Sequence, residues 1–235
     1  MKIIAHRCGD TEYPEETIDA ARHALALGAD YLEIDLRSTV DRSLVVVHDD
    51  NLLRLFGVDK RIEEIGDAEF RMLRYIESDL QRPRFFSEFI ELQMSPLLLH
   101  IKQGGGNLTS LFELLTLFDY GGRVVFGVAT LEDLMQVKNK NSSYSVLAFM
   151  RHSDEWKSYL DAGANFIRIW DDWVTSAIVN RIHENGKEVW VMTGEPSVEG
   201  VGITNPQRLW ELRRMGIDGV LVNNVELAIE VLKKT

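Results

Sequence analysis

The sequence predicts an α/β chain folded as a (β/α)8 TIM barrel, with a hairpin arm after the second strand and an insertion near the barrel mouth. Three observations carry this reading. Eight short runs rich in Val, Ile and Leu alternate with stretches of helical periodicity. No break in composition divides the 235 residues, a length that suits one large domain, or two small ones, with a real core. The residues after the first run, His6-Arg7-Cys8-Gly9, are not the glycine-rich phosphate loop that a doubly wound open sheet needs there.

The runs fall at about 3–6, 31–36, 97–101, 123–127, 145–149, 165–169, 189–192 and 219–222. Pro14, ahead of Glu15 and Glu16, suits the first turn of a helix that Gly28 closes. Thr175 and Gly186 bracket a second helix, and Asn205-Pro206 opens a third that Gly216 ends. A ninth run, Leu44-Val45-Val46-Val47-His48, follows Leu36 too closely for a crossover helix. A hairpin with Asp41-Arg42 as its loop pairs Val40 with Ser43 and sets His48 opposite Asp35. The segment 49–96 carries helix-like stretches near 67–76 and 85–93 and forms the insertion within a single domain, 1–235. The flexible-looking linkers are Gly104-Gly105-Gly106 and the loop around 194–205.

With 26 basic and 37 acidic residues the net charge is −11. An acidic chain lacks the basic surface that nucleic acid requires, so no nucleic-acid partner is expected. A single cysteine, Cys8, excludes an internal disulfide framework and fits a reducing compartment. No signal-peptide core follows Met1-Lys2, and no apolar run approaches about 18 residues. These points lead to the expectation of a cytoplasmic protein without stable membrane insertion. Oligomeric state is not legible.

In such a barrel the site lies at the C-terminal ends of the strands. Those ends give His6 and Arg7, Glu33 and Asp35, His100 and Lys102, Arg151 and His152, Arg168 with Trp170, Thr193 and Asn223. Glu33 and Asp35 are two apart on one strand and share its inner face. Two carboxylates there are costly unless a cation or a proton joins them. They either bond backbone groups and basic neighbours or bind a metal; His6, Arg7 and His48 nearby favour the metal. Two histidines, two carboxylates and an arginine on one rim match phosphodiester chemistry, with the histidines moving protons.

These residues also form a pattern. Ala5-His6-Arg7, Pro14-Glu15-Glu16-Thr17, Gly28-Ala29-Asp30-Tyr31-Leu32-Glu33-Ile34-Asp35-Leu36 and Val46-Val47-His48-Asp49 with Leu52 and Arg54 resemble the glycerophosphodiester phosphodiesterase family. The specific resemblance runs over about residues 3–56 and continues weakly to the end. It implies a TIM barrel, a metal-dependent phosphodiesterase of lipid metabolism, and a small-molecule glycerophosphodiester substrate cleaved to an alcohol and glycerol 3-phosphate. Carried over, it makes His6 and His48 the acid–base pair, Arg7 the phosphate-binding arginine, Glu33 and Asp35 metal carboxylates, and Lys102 the lysine of the family's E-I-K motif.

The departures are as specific. Cys8 replaces the glycine after His-Arg, Glu16 the asparagine of PENT, and Met192 the late tryptophan. Val222-Asn223-Asn224-Val225 stands where the family has T-D-x-P. His100 takes the place of the third metal carboxylate. The family pattern implies Mg²⁺ or Ca²⁺, whereas an imidazole suits Mn²⁺ or Zn²⁺ better. Glu16 either restores charge beside the cation or faces solvent at a helix start. Arg168 and Trp170 either hold a substrate head group or form a core tryptophan with a salt-bridged arginine. The alternative function is a non-catalytic barrel that binds phosphate-bearing ligands.

Overall fold

The computed structural model describes residues 1–9, 11–102, 106–196 and 200–233. The linkers expected at 104–106 and 194–205 lie partly outside that set. Among the described residues the apolar runs become ten strands: β1 (Lys2–Ala5), β2 (Tyr31–Ser38), β3 (Leu44–Val46), β4 (Arg84–Phe85), β5 (Leu97–Ile101), β6 (Val124–Val128), β7 (Ser145–Phe149), β8 (Phe166–Trp170), β9 (Glu188–Met192) and β10 (Gly219–Val222). Eight are parallel and run in the order β1-β2-β5-β6-β7-β8-β9-β10, and β10 pairs back onto β1, so the barrel closes. Closure leaves no edge on the parallel sheet.

Alternation along each strand sorts the side chains. Outward residues such as Ile3, Leu32, Ile34, Leu97 and Leu99 pack under the helices, while Ile4, Leu98, Val125, Leu147, Trp190 and Leu221 fill the interior. Trp190 forms the floor, with ring centroids 5.3 Å from Tyr31 and 4.7 Å from Phe166 and its indole N–H donated to Glu188. The inner positions further along β2, β5 and β8 are Glu33, Asp35, His100 and Arg168. The interior is thus apolar at its base and ionic at its mouth.

The hairpin forms, but one residue out of the expected register. Leu36 pairs with Val46, Arg37 with Val45 and Ser38 with Leu44, and Thr39 donates its N–H to the Ser43 carbonyl. The loop is therefore three residues, with Arg42 at φ 67°, the left-handed position that such loops require. The insertion pins it: Thr39 and Ser43 hydroxyls donate to the two oxygens of Asp67, and Val40 N–H donates to the Ile65 carbonyl. His48 consequently is not opposite Asp35; Val47 donates its N–H to the Asp35 carbonyl at 3.1 Å.

The insertion has its own small core of Val45, Val47, Leu52, Phe56, Ile62, Phe70, Tyr75 and Phe85. Its helices are shorter than the pattern suggested, Asp67–Met72 and Phe86–Glu91. The first stops because Leu73 is extended, with ψ 144°. Phe86 and Phe89 join the main core and Phe85 the smaller one, so this aromatic stripe is packed. The helix expected from Pro14 begins at Ile18, with the Thr17 hydroxyl capping the Ala20 N–H. Glu16 has φ 60° and donates its N–H to the Arg7 carbonyl, which excludes helix there. Pro14-Glu15-Glu16 instead forms a turn toward the mouth.

Candidate active site

The turn His6–Cys8 at the end of β1 holds Arg7 at φ 49° and Cys8 at φ 68°. Left-handed backbone at residues other than glycine costs about 1–3 kcal/mol each and persists where surrounding contacts enforce it. Here the Arg7 N–H donates to Glu33 Oε2 at 2.9 Å. The guanidinium turns the other way, with Nη1 3.1 Å from Glu15 Oε2 and Nε 3.9 Å from Asp35 Oδ2. Cys8 is buried and packed in the core; burial pushes its thiol well up, which makes it inert.

Glu33 and Asp35 are almost fully buried, at 1% and 0% exposure. His100 Nδ1 lies 2.8 Å from Asp35 Oδ1 and 3.6 Å from Glu33 Oε1, and Lys102 Nζ lies 3.0 Å from Asp35 Oδ1. Burial alone would raise both carboxyl groups. The Lys102 charge and the His100 contact overcome it and hold Asp35 well below its ordinary range. For Glu33, burial and the neighbouring Asp35 are outweighed by His100 and His6, and it is held below its ordinary range too. The charge of His6 also acts on Glu33 and that of His48 on Asp35.

Glu33, Asp35 and His100 each offer a ligand atom, and these atoms lie within 4.8 Å of one another. The buried oxygens of Asp35 have no well-aligned hydrogen bond despite the nearby His100 and Lys102. Two carboxylates and an imidazole with unused lone pairs fit a divalent ion, and the nitrogen favours a borderline metal over Ca²⁺.

Glu16 does not face solvent. It is wholly buried, and its Oε1 accepts the Asp35 N–H at 2.6 Å. Burial, together with the Asp35 and Glu15 charges, raises its carboxyl well above the usual range. A raised carboxyl favours its protonated form, which weighs against the expectation that Glu16 restores charge beside a cation, and its burial excludes the expectation that it faces solvent. A carboxyl raised in the folded state stabilises the fold below its unfolded value and loses that contribution as pH rises. Glu16→Gln is therefore expected to gain thermal stability relative to the parent between pH 5 and pH 8, read by scanning calorimetry. A parent and variant whose midpoints track each other across that range would refute the raised carboxyl.

The two histidines are backed differently. His6 Nδ1 lies 2.7 Å from Asn223 Oδ1, and the Asn223 amide donates its N–H to the Val201 carbonyl at 3.1 Å. That donation fixes the amide's orientation, so Nδ1–H of His6 is the donor and Nε2 carries the lone pair. Gly202 makes the arrangement possible, since a Cβ there would stand 1.9 Å from Asn223 Oδ1. Burial pulls His6 below its ordinary value, against the opposing charge of Glu33. His48 instead sets Nδ1 2.6 Å from Asp49 Oδ1. Arg54 joins Asp49 at 2.5 Å and Glu15 at 2.6 Å, tying the second histidine to the Arg7 network. His48, Asp49, Asn51, Leu53 and Arg54 line an open pocket with Arg37.

Arg168 and Trp170 also reach the mouth. Arg168 is buried and makes no salt bridge among the described residues, against the salt-bridged alternative; its guanidinium carbon lies 4.2 Å from the centroid of Trp170 and 5.0 Å from that of Phe149. Phe149 in turn stacks on His100 at 4.0 Å with planes 7° apart. Gly127 gives it room, because a Cβ there would meet the Phe149 ring at 2.4 Å. Arg151 and His152 are exposed, Thr193 is buried with its hydroxyl on the Leu221 carbonyl, and Asp171 is bound by Arg208. Asp49 and Arg54 were visible in the sequence only as parts of the resemblance, Asn223 only as a polar residue at a strand end, and the roles of Gly127 and Gly202 had no local signal.

Fold and mouth together define the class of protein: a TIM barrel with a buried carboxylate pair and an imidazole at its mouth. The chain belongs to the glycerophosphoryl diester phosphodiesterase family, whose model matches residues 6–178. It is similar to a lysophospholipase D of Homo sapiens, with 30% identity over 159 residues, 62% of this chain and 51% of that protein. The match thus spans about half the length of that relative. A glycerophosphodiester phosphodiesterase of Caldanaerobacter subterraneus is 22% identical over 247 residues, 99% of this chain and 98% of the relative. The solved structure of an Oleispira antarctica phosphodiesterase in complex with sn-glycerol-3-phosphate superposes with a TM-score of 0.86 at 20% identity, covering 99% of this chain and 96% of that one. Among the described residues no helix is long and apolar enough to cross a membrane.

Proposed function

We propose that the protein hydrolyses glycerophosphodiesters to an alcohol and glycerol 3-phosphate, with His6 as general base and His48 as general acid. The observation that carries this reading is the asymmetry of the pair: His6 rests on a neutral amide, His48 on a carboxylate. Environments that separate two titratable groups assign their roles. His6 Nε2 takes a proton from the attacking water as its oxygen bonds to phosphorus. The bond from phosphorus to the alcohol oxygen breaks, and His48 Nε2–H protonates that oxygen. Arg7 and Lys102 bind phosphoryl oxygens, and the relation of both to Asp35 keeps them at the carboxylate side. Glu33, Asp35 and His100 would hold a divalent ion, which supplies charge neutralisation of the phosphoryl group when bound. The set 1–235 acts as one domain in this reading, and the buried free thiol suits the cytoplasm.

The test is release of glycerol 3-phosphate from glycerophosphoglycerol by purified protein, with Mg²⁺, Ca²⁺, Mn²⁺ or Zn²⁺ and with chelator. Metal-dependent release, absent in His6→Ala, is the expected result. Calorimetric binding of glycerol 3-phosphate without turnover under any metal would overturn hydrolysis in favour of a binding barrel.

A further inference from the structure

We infer that the mouth contains a second anion subsite, built on Arg168, which selects diesters whose alcohol carries a negative charge and rejects quaternary ammonium head groups. The inference rests on the hydrolytic reading above and adds the class of alcohol to it.

Arg168 sits on β8, across the barrel from the β2 carboxylates, since four strand steps separate the two in an eight-stranded ring. It is 6% exposed, yet no carboxylate lies within ion-pair distance of it among the described residues. Its Nε and Nη1 are buried without hydrogen-bond partners. Burial lowers its affinity for the proton to a pKa of about 10, opposed by the Glu33 charge, and the group stays cationic at neutral pH. A buried unpaired charge is costly to keep. The faces of Phe149 and Trp170 offset part of that cost but leave the Nε and Nη1 donors unpartnered. Unpartnered N–H donors on a cation match the oxygens of a carboxylate or phosphate.

Two further features set the polarity of the subsite. Phe149 stands between Arg168 and His100, stacked on the imidazole, so the guanidinium lies beside the carboxylate cluster and not in it. The group it meets is then a substituent of the diester. The two aromatic faces that a trimethylammonium group would seek are already occupied by the chain's own cation. A choline head group would meet positive charge instead of a vacant cage.

The experiment is a comparison of kcat/KM on three glycerophosphodiesters: one of glycolic acid (carboxylate), glycerophosphoglycerol (neutral) and glycerophosphocholine (cationic). A fourth, the diester of glycerol phosphate, separates phosphate from carboxylate as the preferred anion. The parent protein is expected to favour the anionic diesters over the neutral one by about 10–100-fold, the range of a charge-assisted contact, with choline last. Arg168→Gln should shrink the anionic-to-choline ratio at least about tenfold, and Arg168→Lys should keep choline excluded while losing most of the anion preference. A parent that cleaves the choline diester as well as the anionic ones overturns the subsite, whether or not the variants fold. If no diester is cleaved, the hydrolytic reading fails, and calorimetry decides the subsite separately. Glycerol 1,3-bisphosphate binding more tightly than glycerol 3-phosphate in the parent but not in Arg168→Gln supports it, and equal binding in the parent overturns it.

Discussion

His48→Ala is expected to lower kcat by about 10²–10⁴-fold on glycerophosphoglycerol and by far less on a p-nitrophenyl ester of glycerol phosphate. His6→Ala should cost the same range on both substrates. The difference follows from the backing groups. His48 stands on Asp49, whose carboxyl is held well below its usual range: burial works against this, and hydrogen bonds from His48 and Arg54 prevail. An anionic partner at Nδ1 orients the ring so that Nε2 faces the departing oxygen. An alcohol of pKa near 15 needs that proton, whereas nitrophenolate leaves without it. His6, drawn below its ordinary value by burial and held with Nε2 unprotonated by Asn223, takes a proton in either reaction. His48 is only half-buried and His6 sits at a strand end, so neither truncation opens a cavity in the apolar core. Circular dichroism and thermal midpoints close to the parent's are expected alongside the kinetics. Equal losses for His48→Ala on both substrates would reverse the assignment of acid and base.

The barrel was legible because parallel strands buried on both faces read as short unbroken apolar runs; seven of the eight runs match an observed strand to within one residue at each end, and the run 31–36 stops two residues short of Ser38. The hairpin was legible as a contact but not as a register. Its phase is set by a left-handed residue, Arg42, and by Asp67 of the insertion, and neither is visible in the alternation of Leu44–Val47. The positions of Glu33 and Asp35 on one inner face follow from a period of two. What the period does not contain is partnership between residues far apart in the chain. The pairing of His6 with Asn223 spans 217 positions, and its geometry depends on a carbonyl at Val201 and a missing Cβ at Gly202. The environment of Glu16 was hidden for the same reason: a glutamate after proline reads as a helix start, and only the closed barrel places it under Asp35.

Asp35→Asn should have the second large effect, on metal affinity and on the fold together. Asp35 is fully buried and faces His100, Lys102 and Arg7 at 2.8, 3.0 and 3.9 Å. Removing its charge leaves the buried Arg7 and the half-buried Lys102 without this partner, a change that costs about 3–5 kcal/mol in comparable buried pairs. Because its carboxyl is depressed in the fold, mainly by Lys102 and His100 against the effect of burial, its contribution is present above the unfolded value near 4. It is lost only as pH falls further toward the folded value. The destabilisation of the variant should therefore hold steady from pH 8 down to about pH 4 and shrink below that. Affinity for Mn²⁺, titrated calorimetrically, should fall with it by at least about 10–100-fold. His100→Glu acts in the other direction. It restores an oxygen donor where the chain has nitrogen, and its expected result is a shift of the activating metal from Mn²⁺ or Zn²⁺ toward Mg²⁺. The glutamate also gives up the aromatic stack on Phe149, so stability is measured beside the metal series to separate the two effects. An Asp35→Asn protein that binds Mn²⁺ as the parent does, or a metal ranking unchanged by His100→Glu, would remove these residues from the metal's coordination.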